Sequence, residues 1–414
     1  EEKMSPSTQN FLRSYESTST ISQRAKLKST YAINPNNGEM AVSAFLHLVD
    51  ENNLDGLEEN QVIINAQYGT ILSTSIPADN LTSVSQLPSV KYIEIGRPVH
   101  QRMNNVRSEQ FSNVNKIHEG TGLTQAYTGK DVIVGIIDGG FQYNHINFYD
   151  TEGKNLRIKR VWNQNQSGTP PTGYYYGTEY TNAEEIIAAK QDYAASHATH
   201  VTGIAAGAYK GNEYYGIAPD ADLVFVSYNV SDNSSSNTSI TDGIKYIYDY
   251  AESVGKPCVI NMSLGYHIGP HDGTSTFDRI CDELQGEGRL LVGASGNEAE
   301  YNIHATKTLK KGDTNMKSLV EFVSNWYLYG SMTSTVDIWG DAEKQLSARV
   351  FVYDILNKKE VYSSESFSTT TSTSKKISNP TGADGNIYIS TATNPYNKKG
   401  NITCLLYTSD AADE

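Results

Sequence analysis

The chain has 414 residues, 38% of them hydrophobic and 19% charged, and its 33 Lys and Arg residues against 47 Asp and Glu residues give a formal net charge of −14 at pH 7. A chain of this length has room for two or three domains with a sizeable buried core. The acidic balance argues against a nucleic-acid partner, because binding to phosphates depends on clustered cations, and no run approaches the ~20 apolar residues of a membrane-spanning helix.

The first part of the chain predicts a leader, a small domain and a linker. We expect residues 1–40 to form an N-terminal leader. Residues 41–96 contain the apolar runs AVSAFLHLV, VIINAQYGTILSTSIP and VKYIEI, a short LDGLEE turn and the amphipathic DNLTSVSQL. Their order of strand, helix, two strands, helix and strand is typical of a compact α+β domain. Residues 97–113 are polar and Asn-rich without periodicity, which predicts a linker.

The middle of the chain, residues 114–304, alternates apolar strands with helical patterns. The strands read DVIVGIID, ADLVFVSYN, CVINMSL and LLVGASGN, and the segment ITDGIKYIYDYAESVG repeats its apolar residues at helical spacing. Nearly continuous apolar strands are typical of a parallel sheet that is buried on both faces. We therefore predict a doubly wound α/β domain.

The pattern changes again in residues 305–403, where short β-type segments such as ARVFVYDIL and NIYISTA are separated by Gly, Asn, Asp and Ser/Thr tracts. This spacing predicts an inserted β-rich domain of the antiparallel sandwich type. The three cysteines, Cys258, Cys281 and Cys404, are too few and too irregularly spaced for a disulfide framework or a Cys-x-x-Cys metal site. We expect Cys258 and Cys281 to be small buried hydrophobic residues.

Three polar residues lie where they could carry chemistry. Asp138 ends the apolar strand VIVGIID and is followed by two glycines, which places its carboxylate at the sheet edge where open α/β sheets bind ligands. His197 begins the small-residue helical stretch HATHVTGIAAG and could meet Asp138 there, although a helix-capping or core histidine is the alternative. Asn297 follows another strand and offers a neutral amide donor of the kind that a developing oxyanion requires. His145 and His200 are predicted to be structural.

Taken in order, these segments resemble the motifs of the subtilases, the subtilisin-like serine proteases of peptidase family S8. The resemblance is carried by DGG at 138–140, HATHVTG at 197–203, GIAP at 216–219, NMSLG at 261–265 and ASGN at 294–297. It implies that Asp138 orients and charge-stabilises the imidazole, that His197 acts as general base and then general acid, and that Asn297 donates into the oxyanion hole.

The resemblance implies more about ligands and organisation. The stretch Ser263, Leu264 and Gly265 would be the strand that binds an extended peptide substrate. Residues 41–96 would be a propeptide that assists folding and blocks the cleft until it is removed, so the expected partners are a polypeptide substrate and the protein's own propeptide. A secreted or periplasmic hydrolase is implied, with no redox or organic cofactor. Calcium is possible at a site that the sequence does not localise.

Two residues depart from the family pattern. Ala198 stands where the family usually has Gly, and Gly139 stands where it has Ser or Thr. We expect the extra methyl group of Ala198 to fit, although a clash beside the imidazole would displace it by a fraction of an ångström and misalign the base.

The closing segment CLLYTSDAADE, residues Cys404–Glu414, superficially resembles the nucleophile motif GTSxAxP. Tyr407 replaces its Gly, Asp413 replaces its Pro, and a helix that begins at Ser409 would be too short to pack. One reverse translation of the segment resembles a transposon-end sequencing adapter, so we expect an adapter-derived artefact. The catalytic and inserted domains are then incomplete, the serine lies beyond this fragment, and the fragment is inactive.

Two other functions remain open. A pseudoprotease would keep the subtilase fold and bind peptides or partner proteins without cutting them. Alternatively, the β-rich part could be an adhesive or glycan-binding module with exposed aromatic residues, although Trp326 and Trp339 are more often core residues.

Overall fold

The computed structural model describes residues 3–16, 33–36, 39–96, 100–101, 114–208, 215–228, 236–299, 301–313, 315–320, 332–378, 380 and 385–408. The α-helices in this part of the chain are α1 (Pro6–Glu16), α2 (Leu81–Gln86), α3 (Val114–Glu119), α4 (Ala183–Ala189), α5 (Ser196–Ala206), α6 (Asn237–Ser253) and α7 (Thr276–Leu284). None of these helices is long and apolar enough to cross a membrane.

The N-terminal unit is a five-stranded antiparallel sheet covered by helices. Its strands are β1 (Ile33–Asn36), β2 (Glu39–Leu48), β3 (Ile63–Tyr68), β4 (Ile71–Pro77) and β5 (Val90–Ile95). The sheet order is β1-β2-β4-β3, with β5 paired to β2. Helix α1 lies within the segment predicted to be a leader. The residues directly before it are hydrogen-bonded to β5: the backbone N–H of Ser5 donates to the carbonyl of Ile93, and the N–H of Ile93 donates to the carbonyl of Lys3.

The first helix predicted for residues 41–96 does not form. Residues 55–61 make a series of turns instead, which includes most of the predicted LDGLEE turn. Gly56 has φ = 83° and Gln61 has φ = 56°, and a residue with positive φ cannot continue a right-handed helix. The side chains of Asp50 and Asn53 each accept a bond from the N–H two residues on, the local pairing that favours turns.

The central domain is a six-stranded sheet between two helix layers. Its strands are β7 (Ile133–Asp138), β8 (Ile158–Asn163), β9 (Thr178–Tyr180), β10 (Asp222–Ser227), β11 (Cys258–Met262) and β13 (Arg289–Gly293). The order is β13-β11-β7-β10-β8-β9, parallel except for the edge strand β9. One buried cluster places Ile133 and Ile137 against α6, and another places Val134 and Ile136 against Ala198 of α5. The predicted doubly wound α/β fold is confirmed.

Helix α6 illustrates how the sequence builds these layers. It begins at a capping box in which Ser236 accepts from the N–H of Ser239 and the Ser239 hydroxyl is bonded in return, satisfying donors that a helix start leaves unpaired. Ile240, Ile244 and Ile247 are spaced at the helical repeat and fully buried, so this face packs on the sheet.

The helix layer on the α5 side should depend strongly on Phe225. Its ring is fully buried in β10, stacks on Phe141 at a centroid distance of 4.2 Å and meets Phe148 edge-on at 5.4 Å. We expect Phe225→Ala to lower the free energy of unfolding of this domain by about 3–5 kcal/mol, because the side chain leaves a cavity. Urea unfolding measures the change, with Tyr193→Ala, at a side chain that is 96% exposed, as control. A loss below about 1 kcal/mol would contradict this packing.

The strands of the segment predicted to be an inserted domain, called the inserted domain below, pair antiparallel, while its insertion and its sandwich architecture stay predictions. Its strands are β14 (Met332–Ala342), β15 (Ser347–Ala348), β16 (Phe351–Asp354), β17 (Lys359–Ser363), β18 (Phe367–Ser368), β19 (Thr373–Ser378), β20 (Asn386–Thr393) and β21 (Lys399–Thr408). The main sheet has the order β14-β21-β20-β19, and β15-β18 and β16-β17 form two small ladders. Residues 404–408 continue β21, and Cys404 is buried opposite Val336 and Ile389. The adapter origin of Cys404–Glu414 stays a prediction, and Ser409 lies outside the described residues.

The three parts of the chain meet at a buried junction around His47. The His47 ring, on β2, lies 4.0 Å centroid to centroid from the ring of Tyr396 in the inserted domain. Its Nε2 lies 3.4 Å from the Thr276 hydroxyl at the start of α7, and that hydroxyl donates to Glu94 Oε2 at 2.8 Å. Helix α1 also contacts β20. The N-terminal unit is therefore held by both the central and the inserted domain.

Candidate active site

Asp138 is the last residue of β7 and lies at the carboxyl edge of the parallel sheet. It is fully buried, and its Oδ1 accepts a 2.6 Å hydrogen bond from the N–H of Gly139. The next residue, Gly140, has φ = 152°, and a Cβ there would lie 3.0 Å from the carbonyl oxygen of Ala194. The glycine therefore lets the loop after Asp138 press against the segment that leads into α5.

His197 is the second residue of α5 and is brought to Asp138 by that close approach. The residue is 3% exposed, and its Nδ1 lies 2.7 Å from Oδ1 of Asp138. Because an ionised carboxylate can only accept, the Nδ1–H donates, which leaves Nε2 as the basic nitrogen. The methyl group of Ala198 is fully buried in the cluster behind α5, so it fits without displacing the imidazole from Asp138.

Asn297 lies at the same edge of the sheet, in the loop that follows β13. Strand β13 is two positions from β7, with β11 between them. Asn297 is exposed, and its backbone N–H donates to Oε2 of Glu298 at 2.8 Å. The three strand ends bring Asp138, the end of β11 and Asn297 to one edge, and the oxyanion role of Asn297 stays a prediction.

The predicted substrate strand already pairs with an extended segment of the chain. The strand β12 (Leu264–Gly265) runs antiparallel to β6 (His100–Gln101), with Leu264 opposite Gln101 and Gly265 opposite His100. Ser263, between β11 and β12, accepts a 3.0 Å bond from the Asn261 amide. Pairing of this kind is how a sheet edge takes up a peptide main chain. The segment that follows the N-terminal unit thus lies in the position predicted for a substrate.

The two histidines predicted to be structural lie together in one cavity. His145 and His200 line a cavity of about 440 Å³ with Asn147 and Tyr215. His145 Nδ1 accepts from the N–H of Asn147 at 3.3 Å, and partial burial lowers the pKa of His145. His200 is exposed on α5.

Two further predictions concern cysteines and metals. Cys258 is buried, Cys281 is half-buried, and burial raises the pKa of each thiol to about 12, so both thiols are unreactive. Within the described ranges, no three His, Cys, Asp or Glu side chains are grouped to hold a metal ion.

Asp192, a buried carboxylate five residues before His197, was not predicted from the sequence. It accepts hydrogen bonds from the Phe141 N–H, the Tyr143 hydroxyl and the Asn163 amide. Its sequence context, KQDYAASH, is polar and carries no signal for burial, since the donors come from the loop after β7 and from β8.

Comparison with known families and proteins gives a consistent result. The model of the subtilase family matches residues 129–407, more than half of the chain. A subtilisin from Bacillus sp. (strain TA39) is 28% identical over 189 residues, which cover 45% of this chain and 39% of the relative. Subtilisin E from Bacillus subtilis (strain 168) is 26% identical over 240 residues, covering 58% of this chain and 52% of the relative.

Among solved structures, the CspB protease of Clostridium perfringens is similar with a TM-score of 0.47 and 19% sequence identity, over 72% of this chain and 60% of that chain. The chain spans about half the length, or less, of the two subtilisins it matches.

Proposed function

Since the chain belongs to the subtilase family, we propose that the complete protein is a subtilisin-like serine endopeptidase with an Asp-His-Ser triad, secreted or periplasmic, whose serine lies outside this fragment. The observation that carries the proposal is the 2.7 Å contact between Asp138 Oδ1 and His197 Nδ1 at the carboxyl edge of the sheet. A buried carboxylate that fixes the imidazole tautomer is the arrangement that lets Nε2 act as a base.

In this mechanism, His197 takes the proton of the serine hydroxyl at Nε2 as the oxygen attacks the scissile carbonyl. Asp138 stabilises the imidazolium that forms, and the amide of Asn297 donates to the oxyanion. His197 then returns the proton to the leaving amine, and an acyl-enzyme remains. Water attacks this ester in the second half of the reaction, again with His197 as the base.

We further propose that a substrate pairs with Ser263, Leu264 and Gly265 as an added strand, and that the N-terminal unit is the propeptide. The pairing of β6 with β12 supports both statements, because a segment that follows the N-terminal unit already occupies one edge of the proposed substrate strand. In this proposal, residues of the chain itself take the position of a substrate along that edge.

The decisive experiment completes the reading frame after Thr403 and labels the complete protein with a fluorophosphonate probe. We expect a GTSxAxP segment in the new sequence, labelling of its serine, and loss of labelling in His197→Ala because the hydroxyl is then no longer deprotonated. His200→Ala is the matched control, since it removes an exposed imidazole one turn along the same helix. Labelling that survives in His197→Ala would contradict the triad.

The pseudoprotease alternative makes a different prediction for the same sequence. It expects Ala or Gly in place of the serine and no labelling in the unmodified protein. A complete protein of that kind would retain the β12 edge as a peptide-binding strand.

A further inference from the structure

We propose that Asp192 is a positioning residue for the Asp138–His197 pair: its buried carboxylate fastens the loop that follows Asp138 to the segment that leads into α5. The inference rests on the proposed function, because the geometry it maintains is that of the two proposed catalytic residues.

The first attachment is a reciprocal pair of bonds with Phe141. Asp192 Oδ2 accepts from the Phe141 N–H at 2.9 Å, and the Asp192 N–H donates to the Phe141 carbonyl oxygen at 2.9 Å. Phe141 is three residues after Asp138, and Asp192 is five residues before His197. These two bonds thus join the short segment that follows Asp138 to the short segment that precedes His197.

The second attachment ties the same carboxylate to the sheet. Oδ1 of Asp192 accepts from the Tyr143 hydroxyl at 2.6 Å and from the Asn163 amide, at the end of β8, at 2.7 Å. Asp192 is only 8% exposed, and its burial raises its pKa, an effect that the bonds from Tyr143 and Phe141 oppose. Three neutral donors directed at one carboxylate hold it in one position.

A third contact continues the connection past His197. The N–H of Gln142 donates to the Thr199 hydroxyl at 2.8 Å, and that hydroxyl in turn donates to the carbonyl oxygen of Ala195. The loop after Asp138 is therefore attached on both sides of the imidazole, before α5 through Asp192 and within α5 through Thr199. Release of the Asp192 attachment would let the loop and the helix start separate by a fraction of an ångström, a displacement that costs a catalytic pair much of its efficiency.

A simple structural role for Asp192 predicts something different from a positioning role. A structural residue lowers the free energy of unfolding when it is replaced, and it leaves the Asp138–His197 hydrogen bond unchanged in the molecules that remain folded. A positioning residue changes that bond in the folded state. The test must therefore observe the imidazole directly.

The experiment is proton NMR of the present chain with ¹⁵N-labelled histidine. The Nδ1–H of His197, donated to a buried carboxylate at 2.7 Å, should give a far-downfield resonance that is assigned by its loss in His197→Ala. In Asp192→Asn we expect this resonance to move upfield or to disappear through exchange with water. An asparagine oxygen can accept only part of the three bonds, and its NH₂ group opposes the N–H of Phe141.

Asp242→Asn is the matched control. Asp242, on α6, is also a fully buried carboxylate and accepts from the hydroxyls of Tyr68 and Tyr176, so the variant should lose comparable stability and keep the His197 resonance. Tyr143→Phe removes one donor and leaves the Asp192 carboxylate, so a smaller shift in the same direction is expected. This variant also keeps the test decisive if Asp192→Asn does not fold.

In the complete enzyme, Asp192→Asn should lower kcat about 10- to 100-fold with KM within about twofold, because binding of the peptide to β12 does not involve this loop. An unchanged His197 resonance in folded Asp192→Asn or Tyr143→Phe overturns the proposal. Absence of the resonance in the unmodified chain would instead show that the Asp138–His197 hydrogen bond does not form. That result would overturn both this inference and the basis of the proposed function. A resonance that responds to Asp192 in a complete protein without a serine would sink only the proposed function.

Discussion

Replacing Asp138 by asparagine in the complete protein is expected to lower kcat about 10⁴-fold with little change in KM, the size of the loss that this change causes in other Ser-His-Asp enzymes. The reason lies in the bond between Asp138 Oδ1 and His197 Nδ1. An asparagine can present its NH₂ group to Nδ1, and the imidazole then carries its proton on Nε2. In that tautomer, Nε2 can no longer accept the proton of the serine.

The measurement is steady-state kinetics on a peptide substrate, in parallel with Asp249→Asn. Asp249 is an exposed carboxylate on α6 that pairs with Lys245, so its replacement removes one negative charge without touching the site. A loss of less than about tenfold in Asp138→Asn, or an equal loss in Asp249→Asn, would show that the buried carboxylate does not fix the tautomer.

The sequence predicted the Asp138–His197 pair because its signals are local. Strand β7 is buried along its whole length, so its apolar run is continuous and its first polar residue marks the sheet edge. The small residues after His197 likewise predict a helix that packs closely on the sheet. The local sequence therefore indicates each of the two residues separately, and the resemblance to subtilases implies their roles.

The attachments around this pair could not be predicted in the same way. Asp192 owes its burial to donors from Phe141 and Asn163, which are 51 and 29 residues away. The residues next to Asp192 in the sequence give no indication of these long-range contacts. Helix α1 is another example, since Gln9 and Asn10 are buried where it meets β20, whereas a polar helix is expected at the surface. The helix predicted after β2 failed because two positive φ angles impose turns that apolar periodicity does not detect.

A second large effect concerns how the N-terminal unit is held once the linker is cut. We expect its affinity for the rest of the chain to be nearly independent of pH between about 4 and 6. In contrast, the affinity should rise as the pH falls when the N-terminal unit carries His47→Gln. It should weaken as the pH falls when the rest of the chain carries Asp242→Asn. Each change should be about tenfold per pH unit. The two variants would then differ in opposite directions by up to about 100-fold across this range.

His47 supplies the first slope. Burial and, to a smaller extent, the charges of Arg279 on α7 and Lys91 on β5 together lower the pKa of His47 to about 3 in the docked state. Its other neighbours at the junction are Glu94 through Thr276 and the Tyr92 and Tyr396 rings. The released histidine has its ordinary pKa of 6.5, so between pH 6.5 and 3 the released state binds a proton that the docked state does not. The contribution of His47 to the affinity of the N-terminal unit is therefore complete above pH 6.5 and is lost as the pH falls.

Asp242 supplies the opposite slope. Its carboxylate accepts from Tyr68 Oη of the N-terminal unit at 3.0 Å and from Tyr176 Oη at 2.8 Å, and burial raises the pKa of Asp242 to about 6. Release of the N-terminal unit exposes this carboxyl and returns its pKa toward 3.8. Between these values the docked state binds the extra proton, so this contribution is present at low pH and is lost as the pH rises through 6. Over the shared range, the two slopes cancel.

The measurement uses a chain with a specific protease site placed within residues 102–113, cut at neutral pH. The affinity of the labelled N-terminal unit is then followed by fluorescence polarisation at pH 4, 5, 6 and 7. The signs hold whether or not the released unit stays folded, because an unfolded His47 has the same ordinary pKa. The double variant His47→Gln with Asp242→Asn should restore a flat profile, and Tyr353→Ala, at an exposed ring of the inserted domain, should leave the profile unchanged. Parallel profiles for the two single variants would show that neither group titrates on release.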